Sequence, residues 1–223
     1  MSLAIPTLYQ AFAEEAAAIA FACGPGCATC CTRSVTLTTA EGALIVDFLR
    51  AAGRGLPELP RDQVPLRPAV TANGLAALCL AGEEPPPEAE SPWSFEPCFL
   101  LQDGLCTIYP VRPFACRSFG SIVNCGQAGM AEAPAWFLTL AIVTNQLLED
   151  LDRGGAWGNL ADVLAFVDDG LGEGAREATR ERLLPNRPLP GLLVLPEERA
   201  RVDRYLAKVW ERTGVEFMVS GDG

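Results

Sequence analysis

The amino-acid sequence predicts a mainly α protein, a single helical domain with one small β-hairpin, organised around a set of cysteines. Apolar residues recur at three- and four-residue spacing in several stretches separated by Gly- and Pro-rich connectors, which is the period of helices with one buried face. The segment LLQDGLC at 100–106 carries the Asp-Gly pair of a tight hairpin. Eight of the nine cysteines fall in two short windows, 23–31 and 98–125.

Taken in order, Thr7 to Phe21 places Leu8, Phe12, Ala16 and Ile19 on one helical face and delivers the chain to Cys23. After the first cysteine window, Val35-Thr36-Leu37 is a short β-branched segment. Thr38 and Glu41 then have capping-box spacing for a helix through about Ala52, with Leu44, Ile45, Phe48 and Leu49 as its apolar face. Gly53 to Pro68 reads as a connector. Val70, Leu75, Leu78 and Cys79 form another amphipathic stretch, on which Cys79 is expected as a small buried hydrophobe. The acidic run from Gly82 to Pro92 cannot hold regular structure, because its prolines remove donors and its acids stay solvated.

Beyond Cys125, Pro134 opens a helix through about Asp152, with Phe137, Leu140, Thr144, Leu147 and Leu151 on one face. Asn159 caps a helix from Leu160 to Asp169 that Gly170 stops. Glu173 to Leu184 reads as a charged helix broken by Pro185 to Pro190. A last helix, Pro196 to Thr213, buries Val202, Tyr205, Leu206, Val209 and Trp210 and ends before Gly214. There is no internal repeat. The whole chain, 1–223, is expected to be one domain, with a cysteine core at about 20–130 and a helical part at about 131–223.

A formal charge of −11, with one lysine and sixteen dispersed arginines, argues against nucleic acid as a partner, since phosphate binding needs clustered cations. No stretch reaches the roughly 20 apolar residues of a membrane span. The first twenty residues lack a basic segment and carry Glu14 and Glu15, so a signal peptide is not expected and the protein is placed in the cytoplasm. In that reducing setting nine cysteines, an odd number, favour metal ligation over a disulfide framework.

The first window, CGPGCATCC, spaces Cys23, Cys27, Cys30 and Cys31 as C-x3-C-x2-C-C. Cysteines three apart can curl around one ion. The adjacent Cys30 and Cys31 point to opposite sides of an extended chain, which suggests two metals or a cluster. In the second window the geometry turns on the hairpin loop. A two-residue Asp103-Gly104 loop pairs Leu101 with Cys106 and puts Cys98 on the other face; a three-residue loop from Gln102 pairs Leu100 with Cys106 and lets Cys98 and Cys106 share a face diagonally. A diagonal separation of about 7 Å suits the spread ligands of an iron-sulfur cluster better than one zinc.

Arg112-Pro113 then starts a turn that swings Cys116 back toward the strands, and Cys125 closes the set. Arg112 and Arg117 flank Cys116, where guanidinium groups would offset the charge of thiolates around a bound cofactor. Tyr109 and Phe114 read as core, and Asp103 as a turn former. The chain has no histidine, so ligands to a metal should be thiolates.

With C-x3-C-x2-C-C followed by PCFLLQDGLCTIYPVRPFACRSF and a further cysteine, the chain resembles the YkgJ-type, CxxCxxCC family of zinc- or iron-chelating bacterial proteins over about Cys23 to Cys125. The string G-x-C-x-I-Y-x-x-R-P-x-x-C-R from Gly104 to Arg117 is its most specific part. The resemblance implies eight metal ligands: Cys23, Cys27, Cys30, Cys31, Cys98, Cys106, Cys116 and Cys125. The implied cofactor is an iron-sulfur cluster or zinc, with iron-sulfur favoured, in a structural or electron-transfer role with a redox or protein partner unspecified. The same cysteine signature occurs in proteins described as flagellin lysine methylases and iron-sulfur oxidoreductases, so an enzyme of either kind, or a metal chelator or carrier, stands as the alternative.

Overall fold

The computed structural model describes residues 4–24, 26–60, 68–87 and 95–215. Parts of the expected connector at 53–68 and of the acidic proline run at 82–92 lie outside the described residues. The remaining chain is mainly helical. It forms α1 (Ala4–Ala16), β1 (Thr36–Thr38), α2 (Thr39–Ala51), α3 (Ala72–Ala81), the hairpin β2 (Leu101–Gln102) and β3 (Leu105–Cys106), and the short turns α4 (Phe114–Arg117) and α5 (Cys125–Ala128). The long α6 (Ala135–Leu151) follows, then β4 (Ala156–Asn159), α7 (Leu160–Val167), α8 (Glu173–Arg180), β5 (Leu184–Pro185) and α9 (Arg199–Thr213). No described helix is long and apolar enough to cross a membrane.

Several ends follow the local signals. The Thr38 hydroxyl accepts from Glu41 N while the Glu41 carboxylate accepts from Thr38 N, closing the capping box of α2. Asn159 accepts from Ala161 N at the start of α7, and Gly214 takes a left-handed conformation after α9. Other ends differ. α1 stops at Ala16, short of Phe21, because the chain turns so that the Phe21 ring packs against Phe137 at 5.2 Å. The charged helix ends at Arg180: Leu183 is buried, and Leu184 pairs with Trp157 as a strand. Trp210 is 57% exposed, so the buried stripe of α9 is narrower than its apolar pattern.

The sequence reading missed a second sheet. β4 runs antiparallel to both β1 and β5, with Leu37 opposite Gly158 and Trp157 opposite Leu184. Strands of two to four residues are too short to show a period of two. α3 is also turned differently from expectation: it buries Asn73, Gly74 and Ala76, and Cys79 is exposed, not a core hydrophobe. The reason lies in polar anchoring. Asn73 N donates to Glu149 Oε2 at 2.6 Å and its side-chain amide donates to the carbonyls of Gln146 and Arg187, so hydrogen bonds to α6 outweigh the apolar face.

Two apolar clusters make the core. One joins Leu8 and Phe12 of α1, Phe114, Phe137, Leu140 and Leu147 of α6, and Val202, Tyr205 and Val209 of α9. The other joins Leu37, Ile45, Leu49, Leu100, Ile108, Val163, Leu164 and Leu183, with Cys98, Cys106 and Cys116 packed against it. The chain enters both clusters from each side of residue 130, so the helical part is interleaved with the cysteine part. Acids at the end of α6 hold the irregular segment after β5: Glu149 accepts from Arg187 N and Asp150 from Leu189 N.

Candidate metal centre

The hairpin uses the two-residue loop. Asp103 at φ 51 and Gly104 at φ 75 both occupy the left-handed region, as a twist-matched tight turn requires, and Leu101 lies opposite Cys106. The three-residue loop, and the diagonal face shared through strand alternation, are not formed. Cys98 is placed by another device. Leu101 N donates to Cys98 O at 3.0 Å, so the chain turns between them and the alternation of β2 does not extend back to Cys98.

What places Cys98 is the first cysteine window. Cys98 N donates to Cys31 O at 2.9 Å, Arg33 N donates to Glu96 O at 3.1 Å, and Thr32 bridges Pro97 in antiparallel register. The end of one window therefore lies directly against the start of the other. On the far side of the hairpin, Thr107 donates from both its amide and its hydroxyl to Leu100 O. A short 3-10 turn at Tyr109–Val111 and the extended Pro113 then lead into α4, whose third residue is Cys116.

These contacts bring five thiols into one another's electric field. The Cys116 thiol is pushed up to about 12, by burial first and then by Cys98, Cys106 and Cys30. Cys31 is pulled below the ordinary thiol range by the hydrogen bond from Cys30, against burial and the neighbouring Cys116, Cys106 and Cys98. Cys30 is correspondingly raised, as the donor of that bond and by burial. Burial raises Cys98 and Cys106 adds to it, while the backbone amide of Leu100 and the Arg33 guanidinium oppose. Cys30, Cys31, Cys98, Cys106 and Cys116, from three separate segments, thus influence one another electrostatically. Among the described residues, however, no three Cys, Asp or Glu side chains are arranged closely enough to hold a metal ion.

The other three candidates are Cys23, Cys27 and Cys125. Ala22 N donates to Ser121 O at 2.8 Å, and the Cys23 thiol reaches the same carbonyl at 3.9 Å. The Cys125 thiol reaches Val123 O at 3.9 Å, so Cys23 and Cys125 share the loop that follows α4. Cys27 is exposed.

Arg112 stacks 3.8 Å over the Tyr109 ring and faces Cys116 electrostatically. Tyr109 is 60% exposed, which corrects its reading as core; the 3-10 turn holds its ring outside the hairpin. Arg117 gives Nε to Arg112 O at 2.8 Å and Nη2 to Pro110 O at 2.6 Å, and lies 4.4 Å over the Tyr9 ring. Two of its donors are therefore committed to the backbone of the turn that precedes Cys116. Phe114 is fully buried as expected.

Two polar residues bonded to the backbone of the cysteine segments are not marked as site residues by the sequence. Arg33 donates to Pro97 O and pairs with Glu96, and Glu41 accepts from Phe114 N at 2.8 Å. The capping-box pattern shows Glu41 as a local cap; its partner 73 residues away leaves no trace in the local sequence. A cleft of about 340 Å³ lies between α1, α2 and the end of α6, lined by Ile5, Ala43, Leu44, Asp47, Leu151 and Asp152, and by none of the cysteines. Comparisons with protein-family models, with curated proteins and with solved structures returned no match.

Proposed function

We propose that this chain is a metal-binding protein whose centre is built from cysteine thiolates, with Cys30, Cys31, Cys98, Cys106 and Cys116 as its principal ligands. The carrying observation is that the Cys98 N to Cys31 O bond and the Thr32–Pro97 bridge lay the end of one cysteine window on the start of the other, with Cys98, Cys106 and Cys116 packed against the same apolar cluster. A donor set of thiols with no imidazole suits a four-thiolate zinc or an iron-sulfur cluster, and the cluster, which spreads its four ligands more widely, is the better match to thiols not already drawn tightly together. The resemblance to the CxxCxxCC proteins supports the same cofactor class. Binding would draw the side chains together and release protons, Cys116 being the hardest to ionise. In this role the centre is structural or transfers electrons, and Cys23, Cys27 and Cys125 supply further ligands beside it. Nine free thiols fit a reducing, cytoplasmic setting.

Purification under anaerobic conditions, followed by metal and sulfide analysis, tests this. Visible absorbance with stoichiometric iron and sulfide is expected. A colourless protein with stoichiometric zinc would remove the iron-sulfur assignment, and a protein that takes up neither metal nor cluster on reconstitution would remove the metal-centre reading altogether.

A further inference from the structure

Glu41 is 2% exposed and has no cation hydrogen-bonded to it among the described residues, yet its carboxylate is fully used. Oε2 accepts from Thr38 N at 2.9 Å and Thr38 Oγ at 3.1 Å; Oε1 accepts from the Tyr9 hydroxyl at 2.6 Å and from Phe114 N at 2.8 Å. The first pair is the capping box of α2. The second pair has nothing to do with capping α2. It ties α1 and the first residue of α4 to the same oxygen.

α4 is one turn, FACR, and lies between the two apolar clusters: Phe114 belongs to one, while Ala115 and Cys116 pack against the other. Its orientation decides whether the Cys116 thiol faces Cys98 and Cys106. A four-residue helix cannot fix its own orientation by internal hydrogen bonds, since its first four amides have no intrahelical acceptor. Two external anchors do so. Glu41 Oε1 takes the amide of Phe114 at the front of the turn, and Arg117 binds the carbonyls of Pro110 and Arg112 at its end. The anchors meet at Tyr9, whose hydroxyl binds Glu41 and whose ring lies under the Arg117 guanidinium.

We propose that Glu41 is a positioning residue for the thiol centre, acting through Phe114 N to aim Cys116 at the other four cysteines. Its purpose depends on the metal-centre reading, but its action on Cys116 does not require metal. The buried carboxylate is an acceptor for two donors at each oxygen, which an amide cannot reproduce, because one of its two terminal atoms is a donor.

The test is pulsed alkylation of the metal-free protein, with rates at Cys116 and Cys98 read by peptide mass spectrometry. In Glu41→Ala, which removes the acceptor of Phe114 N, the rate at Cys116 relative to Cys98 is expected to rise about tenfold, the effect of one buried hydrogen bond lost. Thr38→Ala, which disturbs the capping box and spares the Phe114 bond, should leave the ratio near that of the wild type. An unchanged ratio in Glu41→Ala, or an equal rise in Thr38→Ala, overturns the assignment. Should Glu41→Ala fail to fold, Tyr9→Phe decides: a rise of about threefold supports the anchor, and no change refutes it. Metal loading of the wild type is measured in parallel, so that failure of the metal centre is seen separately from failure of the anchor.

Discussion

Gly120 sits where the first cysteine window docks onto the loop after α4, and adding one methyl group there tests that docking. A Cβ on Gly120 would stand 2.6 Å from Cε1 of Phe21 and 2.9 Å from two further ring atoms. Ordinary carbon contacts begin at about 3.5 Å, so the ring would have to withdraw by about 1 Å. It cannot withdraw freely, because Phe21 packs edge-on against Phe137 at 5.2 Å and Phe137, on α6, is itself buried against Phe12 of α1. Overpacking of this kind costs about 1–3 kcal/mol. For a chain of this size, at roughly 2–4 °C per kcal/mol, Gly120→Ala should lower Tm by about 2–12 °C. Ala22 N, bonded to Ser121 O, would be pulled from its acceptor, and Cys23 should alkylate faster than in the wild type. Thermal unfolding by circular dichroism and alkylation at Cys23 measure both effects. A Tm within about 1 °C of wild type, together with unchanged Cys23 reactivity, would refute the docking of this window on the 120–123 loop.

Cys116→Ser should reduce metal per chain and remove the stabilisation that bound metal supplies, about 2.7 kcal/mol at a hundredfold excess over Kd, seen by metal analysis and thermal unfolding; equal metal content would defeat the ligand assignment. Cys79→Ser, at an exposed position, should leave both quantities unchanged. Glu149 is fully buried and its carboxyl is raised by that burial, so the folded state holds its proton to higher pH than the unfolded state. Its contribution is therefore greatest below the ordinary glutamate range and is lost as pH rises through the raised value. Urea unfolding of wild type and Glu149→Gln across acid to neutral pH should show the wild type losing ground as pH rises, by at most about 1.4 kcal/mol per pH unit, and a constant difference would contradict this.

Helices were legible where long stretches repeat one period. α6 and α9 were read close to their ends, and α2 was read from its capping box. The hairpin was legible as a hairpin, because Asp103-Gly104 names its own turn. Its loop length was not, since two- and three-residue loops share that pair and differ in which strand residues face each other. α3 shows the opposite failure: its apolar residues mark a face, and hydrogen bonds from Asn73 to α6 select another.

The sequence by itself determined the helical class, the absence of any imidazole, and the two cysteine windows with their spacing, because composition and local period are properties of the chain alone. Tertiary structure decided how the two windows lie together. The Thr32–Pro97 bridge and the Cys98–Cys31 bond lay the end of one on the start of the other, while Cys23 and Cys125 attach to the loop after α4. It also decided that Glu41, a local cap by its spacing, holds a turn 73 residues away. Such pairings join residues far apart in sequence, and no local pattern encodes the partner at the other end.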